Sequence, residues 1–209
     1  MTLPYADVQR IIKWTSEKYR LLRNVVPAAG RRVKRGQIYW CEFGENIGSE
    51  QNLRRPALIL QNDPANITSP NTIVAPITNQ LATGRVIVPI TRAAGSPVTG
   101  YILLGNIVTI SKARLGDKID NLGKDINGED EMEKVEEALF HSVGVFDQIN
   151  KTKKYLERTL THLDTVKKER NEAVDAIADI KKELGLTNAD DAKVILDEIQ
   201  KLKSIDETK

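Results

Sequence analysis

Between positions 37 and 110 the chain is cut into short runs rich in Ile, Val and Leu, at 37–43, 57–61, 71–77, 86–90 and 101–110, each bounded by Gly, Pro, Asn or Asp. β-branched runs of this length with turn residues at both ends are strands. They predict a mainly β core, a small closed or half-closed barrel. Its longest polar connections, 44–53 and 63–70, are where a binding surface could form, because connecting segments carry the freely placed polar groups of a rigid scaffold.

One of those connections holds chemistry. Glu50 precedes Arg54, Arg55 and Pro56 at the entrance of the second run, and Thr78 stands at the exit of the third. A guanidinium is a planar fork that binds two phosphate oxygens at once. Pro56 fixes the backbone beside it, and the Thr78 hydroxyl can donate to the same charge. Chemistry at a phosphate needs a proton acceptor, neutralisation of the extra charge on phosphorus, and protonation of the leaving oxygen. Acid, arginine and hydroxyl together cover those tasks. The loop residues Asn46, Ser49, Gln51 and Asn52, with Arg54, Asn79 and Gln80, offer hydrogen-bonding groups for the exposed base edges and phosphates of single-stranded RNA.

The order of several short motifs over 34–145 carries a resemblance. Arg35-Gly36-x-Ile38-Tyr39 is followed by Gly48-Ser49-Glu50-Gln51, Arg55-Pro56 before an apolar strand, Gln61-Asn62-Asp63, Ile77-Thr78, Ile102-Leu103-Leu104, Thr109-Ile110-Ser111-Lys112 and Arg114-Leu115. In this order they resemble the MazF/PemK family of toxin endoribonucleases. The resemblance implies an SH3-like barrel of the CcdB/PemK kind and a toxin of a type II toxin–antitoxin system that cuts single-stranded RNA at specific sequences without a metal or other cofactor. It further implies a homodimer and a separate antitoxin partner. Arg55 and Thr78 fall on the family's principal catalytic arginine and threonine, and Glu50 on an acid in its Glu-Gln loop. Whether Glu50 or Arg55 accepts the proton stays open, although a guanidinium is hard to deprotonate. Two positions depart from the family pattern, Arg54 and the stretch Asn106-Ile107-Val108, so no RNA sequence preference is carried over.

The flanks lie outside that resemblance. A helix is expected over 6–25, with Val8, Ile12, Thr15, Tyr19 and Leu22 on its buried face, and 1–33 forms an N-terminal helical extension. A second helix is expected over 129–146, with Met132, Val135, Leu139, Val143 and Phe146 on its apolar face. Residues 146–209 lack proline and read as a helical extension, either a hairpin or a coiled coil. Ile149, Leu156 and Leu163 recur at seven; Arg170 and Asn171 interrupt the seam before Val174, Ile177, Ile180 and Leu184. Gly185 is the expected stop, Asn188 the expected cap of a further helix, and Leu186 the staple against Ala192.

Composition narrows the remaining classes. The first 128 residues hold 17 Lys+Arg against 9 Asp+Glu, whereas 129–209 hold 14 against 20, so a polyanion partner belongs with the first part. The Arg31-Arg32-Val33-Lys34-Arg35 cluster adds to that expectation. Cys41 is alone and sits in a strand run, where packing is the usual role. His141 and His162 lack companions that would complete a zinc site, and the carboxylates show no metal spacing. No apolar run would span a membrane and the first ten residues do not read as a signal peptide, so a cytoplasmic location is the default. Two other functions fit the same barrel: a non-catalytic RNA- or protein-binding module, and a CcdB-like toxin acting on gyrase.

Overall fold

The computed structural model describes residues 4–92, 95–187 and 191–206. Within residues 1–146, one compact unit, the chain runs α1 Tyr5–Arg23, α2 Val25–Ala29, β1 Gln37–Glu42, β2 Arg54–Ile59, α3 Asp63–Thr68, β3 Asn71–Thr78, β4 Ile87–Ile90, β5 Gly100–Leu103, β6 Val108–Ser111, β7 Leu115–Asn121 and α4 Glu131–Ser142. All strand pairings are antiparallel. The pairing path is β4-β5-β3-β2-β1-β7, with β6 on β3, and its end strands do not pair with each other among the described residues. The sheet is thus half-closed.

Two apolar clusters fill its two faces. Ile38, Leu58, Ala75, Ile77, Ile102 and Leu104 form one, closed by Val135 and Ala138 of α4; Tyr39, Cys41, Ala57, Ile59, Val74 and Leu115 belong to the other. Alternation along β1 and β2 sends successive side chains to opposite clusters. Burial of each large aliphatic side chain contributes about 1.5–3 kcal/mol.

Several expectations are corrected. The run 101–110 is not one strand: Leu104–Asn106 makes a single 3-10 turn, so that β5 and β6 pair with successive parts of β3 in registers that slip by three residues. Leu104 is buried by that turn, which explains why an apolar residue sits where the ladder stops. The connection 63–70 is mostly helix α3, capped by Asn62, whose side chain accepts from Ala65 N at 2.9 Å, with Pro64 in the first turn. Proline suits that position because its missing N–H would be unpaired there anyway. Asn66 of α3 is fully buried: its Nδ2 donates to Gln61 O at 2.8 Å, its Oδ1 accepts from Thr72 at 2.8 Å, and its carbonyl accepts from buried Lys112 Nζ at 2.5 Å. Asn66 thus anchors the helix to the interior by a buried polar knot, while Asp63, Pro64, Ile67 and Thr68 stay exposed.

No strand is expected after residue 110, yet β7 pairs with β1 through irregular register. The helix expected over 129–146 ends at Ser142, and Phe146 begins the next helix and stacks on His141 at 3.7 Å between ring centroids. The face of α1 is also different. Ile12, Tyr19 and Leu22 are 58–69% exposed, whereas Leu21 is buried and Trp14 and Glu17 turn inward. Positions 14, 17 and 21 have helical spacing too, and Trp14 wins because its ring packs on Gly44. A Cβ on Gly44 would meet that ring at 2.4 Å, and Gly44 has φ 94°. The helix breaks at Asn24, and α2 carries the chain on to β1.

Residues 147–209 form the second unit. Helix α5, Phe146–Glu183, has no buried residue, and Leu156, Leu160, Leu163, Val174, Ile177 and Ile180 of its apolar stripe are exposed. Gly185 follows it, as expected. The expected cap Asn188 lies outside the described residues; α6, Ala192–Asp206, is preceded by Asp191, whose carboxylate accepts from Lys193 N and Val194 N at 2.9 and 3.1 Å. No described helix is long and apolar enough to cross a membrane.

Arg92 ties β7 to α4. Its guanidinium reaches Asp120 at 2.5 Å and the buried Glu131 carboxylate at 2.6 Å, whose second oxygen has no hydrogen-bond partner. Removing the cation strands a buried charge, so Arg92→Ala is expected to cost about 3–5 kcal/mol. Urea unfolding would measure the loss.

Candidate active site

Antiparallel pairing places Ala57 opposite Pro76, Leu58 opposite Ala75 and Ile59 opposite Val74. Continued two residues towards the start of β2 and the end of β3, the same register sets Arg55 opposite Thr78. On the other edge of β2, Arg55 stands opposite Cys41 of β1. The two residues share an open depression of about 370 Å³ lined by Trp40, Arg54, Arg55, Thr78, Asn79 and Gln80, with Leu53 at its edge. Five of the sequence-derived site residues meet there: Arg54, Arg55, Thr78, Asn79 and Gln80.

Arg55 is held by its own loop. Its Nε donates to Asn52 O at 2.9 Å and its Nη1 to Gln51 Oε1 at 2.5 Å; the fork is oriented by neutral acceptors that do not cancel its charge. Thr78 Oγ1 accepts from Gln80 N at 3.2 Å, which leaves the hydroxyl hydrogen for a ligand. Gly100 makes this strand end possible. A Cβ there would lie 2.2 Å from Thr78 O, so β5 closes on Thr78 only through a residue without one.

The remaining loop residues are placed differently. Glu50 is exposed, accepts from Ile47 N at 3.3 Å and does not line the depression. No ion pair joins it to Arg55 among the described residues. Asn46 and Asn52 brace the loop, Asn46 N donating to Asn52 Oδ1 at 2.6 Å and Asn46 Nδ2 to Gln51 O at 2.8 Å. Ser49 is exposed. Leu53 closes the loop in left-handed backbone, φ 64°, with a side chain 55% exposed. Its N–H donates to Gly44 O at 2.7 Å, so the loop is pinched at its base.

Trp40 was missed by reading the sequence, where it stood only as one apolar letter of a strand. The strand's alternation puts it outward between buried Tyr39 and Cys41, and Arg54 lies over its ring at 5.2 Å. Arg54 also pairs with Glu42 at 3.4 Å. Burial, then the nearby Glu17, push the Glu42 carboxyl above its ordinary range.

The basic cluster ahead of β1 is partly consumed by the fold. Arg31 donates to Leu115 O and Gly116 O, and Arg35 to Leu60 O and Glu136; Arg32 and Lys34 remain exposed. Among the described residues, no group of three or more His, Cys, Asp or Glu side chains could hold a metal ion.

Similarity to known proteins covers the same part of the chain. Residues 34–143 match the model of the PemK-like, MazF-like toxins of type II toxin–antitoxin systems. Over 118 residues the chain is 39% identical to the endoribonuclease EndoA of Bacillus subtilis, covering 55% of this chain and 97% of that protein. Among solved structures, MazF from Deinococcus radiodurans aligns at 21% identity with a TM-score of 0.45, over 55% of this chain and 98% of that one. An endoribonuclease in complex with its cognate antitoxin from a mycobacterial species aligns at 26% and 0.44, over 54% and 96%. The chain belongs to the PemK-like, MazF-like toxin family of type II toxin–antitoxin systems.

Cys41 is fully buried and burial pushes its thiol up to about 12. It is a packing residue beneath the site. Iodoacetamide at pH 8 should leave native protein unmodified and add one label only after unfolding, as mass spectrometry would read, because the thiolate is the reacting form.

Proposed function

We propose that this MazF-type endoribonuclease toxin cuts single-stranded RNA by attack of a 2′-hydroxyl on the neighbouring phosphorus, without a metal ion. The register that sets Arg55 opposite Thr78 carries this reading, since it converges a bidentate cation and a hydroxyl donor on one concave point. Charge grows there on the non-bridging oxygens as the nucleophile adds, and donors already oriented toward it lower the barrier most. Arg55 acts as the electrostatic clamp, and Thr78 donates to the same phosphate. Glu50 is the proton acceptor by intrinsic basicity. Because Ile47 N now holds it outside the depression, that role requires the loop 44–53 to turn inward as RNA enters. Asn79, Gln80, Arg54 and the amides of the loop then meet the bases and flanking phosphates.

Family membership supports a separate antitoxin as the physiological partner and a homodimer as the working form. The division proposed is an N-terminal extension 1–33, the RNase barrel 34–145 and a helical extension 146–209.

Purified protein incubated with mixed RNA and excess EDTA should give discrete fragments ending in 2′,3′-cyclic phosphate. Cutting that needs added Mg²⁺ would overturn the mechanism, and tight RNA binding without cutting would favour a non-catalytic module. Arg55→Ala and Thr78→Ala should each slow cleavage by about 10² to 10³, the cost of one lost oxyanion donor, with circular dichroism unchanged. Arg55→Lys should also impair it, because one ammonium cannot replace the fork.

Helix α5 has no buried side chain, so truncation after Phe146 should leave a folded, active RNase with an altered oligomeric state or partner binding. Light scattering beside a cleavage assay would show this. A large gain in activity would indicate autoinhibition.

A further inference from the structure

Helix α1 precedes the segment 34–143 that matches the toxin family, yet it does not stand away from the barrel. Trp14 seats on Gly44 at the base of the loop. Arg114 holds that contact from below, its guanidinium 5.6 Å from the Trp14 ring and its Nη1 donating to Glu42 O and Phe43 O at 2.9 Å each. Arg10 Nε reaches Glu45 at 2.8 Å. Docked in this way, α1 leaves a groove of about 930 Å³ between itself and the sheet. Ile12, Lys13, Trp14 and Arg20 form one wall; Leu53 and Arg54 belong to the other.

Leu53 and Arg54 also line the depression that holds Arg55 and Thr78. The two concavities are therefore joined along a shared edge. An RNA cut in its interior continues on both sides of the broken bond, so the strand must leave the depression along some surface. We propose that the groove beneath α1 is that exit path, a subsite for the single-stranded nucleotides flanking the cut; this rests on the RNase reading above.

Its chemistry suits a single strand. Trp14, Ile12 and Leu53 offer an aromatic edge and exposed apolar surface for bases, and Ile12 and Leu53 are 64% and 55% exposed. Base–aromatic contacts of this kind tolerate any sequence. Arg10, Lys13, Arg20 and Arg54 supply positive charge against Glu17, Glu42 and Glu45. Each acid is matched to an arginine of the groove, Glu17 to Arg20, Glu42 to Arg54 and Glu45 to Arg10, so no carboxylate faces the strand uncompensated. Lys13 makes no ion pair among the described residues and is the surplus cation. Carboxylates beside arginines can also accept from exocyclic amino groups of bases, which a purely basic trough cannot do.

The test compares two RNAs that share one cut site in the full-length protein: a minimal oligonucleotide of about six nucleotides and the same oligonucleotide lengthened on both sides. Wild type should favour the longer RNA by about tenfold in kcat/KM, the worth of one stacked base. The double variant Ile12→Ser, Lys13→Ala changes only exposed side chains with no hydrogen-bond or ion-pair partner among the described residues. It should bring that ratio towards one through KM, not kcat. The same loss should appear in fluorescence anisotropy with the longer RNA made uncleavable by a 2′-deoxy substitution at the cut. A ratio and an affinity that the double variant leaves unchanged would overturn the proposal. So would a shift only in light scattering, which would make the groove a protein-contact face. If wild type cuts neither RNA, the RNase reading fails, and the anisotropy decides the subsite separately.

Discussion

Pairing of β2 with β3 is the constraint on which the rest of the molecule rests. Its register closes both apolar clusters, because Ala57, Leu58 and Ile59 alternate between them, and, extended two residues past its last pair, it sets Arg55 opposite Thr78 in one depression. A slip of one residue would turn every side chain of β2 to the wrong face. Site geometry and core packing are thus one specification. Pro56, which lacks an N–H, sits in this otherwise central strand near its entrance, where a lost ladder bond is tolerated.

The charges of the first unit divide between fold and function in a way that counting does not reveal. Arg31, Arg35, Arg92 and Arg114 spend their donors on backbone carbonyls or carboxylates of other elements. Buried Lys112 does likewise at Asn66; burial pulls its ammonium below the ordinary lysine range. What remains at the surface is a smaller set, Arg54, Arg55, Lys13 and the exposed cations near β1 together with Lys18, Arg23, Arg85, Lys118 and Lys124. The basic excess of the first part therefore overstates the charge left free for a partner.

Most of the sheet was legible because alternation and turn residues are local signals. Arg55 and Thr78 were legible by the same logic, each standing at the end of a recognisable run. Elements set by distant contacts were not. The buried side of α1 is decided by a tryptophan meeting a glycine thirty residues on, and the spacing of Ile12, Tyr19 and Leu22 fitted a helix face equally well. β7 hides behind turn-like letters because its partner β1 supplies the irregular pairing. Helix α3 was overlooked although Asn62-Asp63-Pro64 is a helix start; its polarity suggested a loop, and it is fixed by the interior hydrogen bonds of Asn66, its one buried residue. Trp40 could have been found by carrying the alternation of β1 one step further.

Leu53 ends the loop 44–53 in left-handed backbone, a conformation that costs an L-residue with a side chain roughly 1–2 kcal/mol. That energy is already stored at the hinge before any substrate arrives. If the inward turn proposed for Glu50 carries Leu53 out of the left-handed region, release of that strain would favour the turned state by about a factor of ten in population. Under the proposed mechanism, such a hinge would set how much of the RNA's binding energy is consumed in closing the loop and how much is left for the reaction itself.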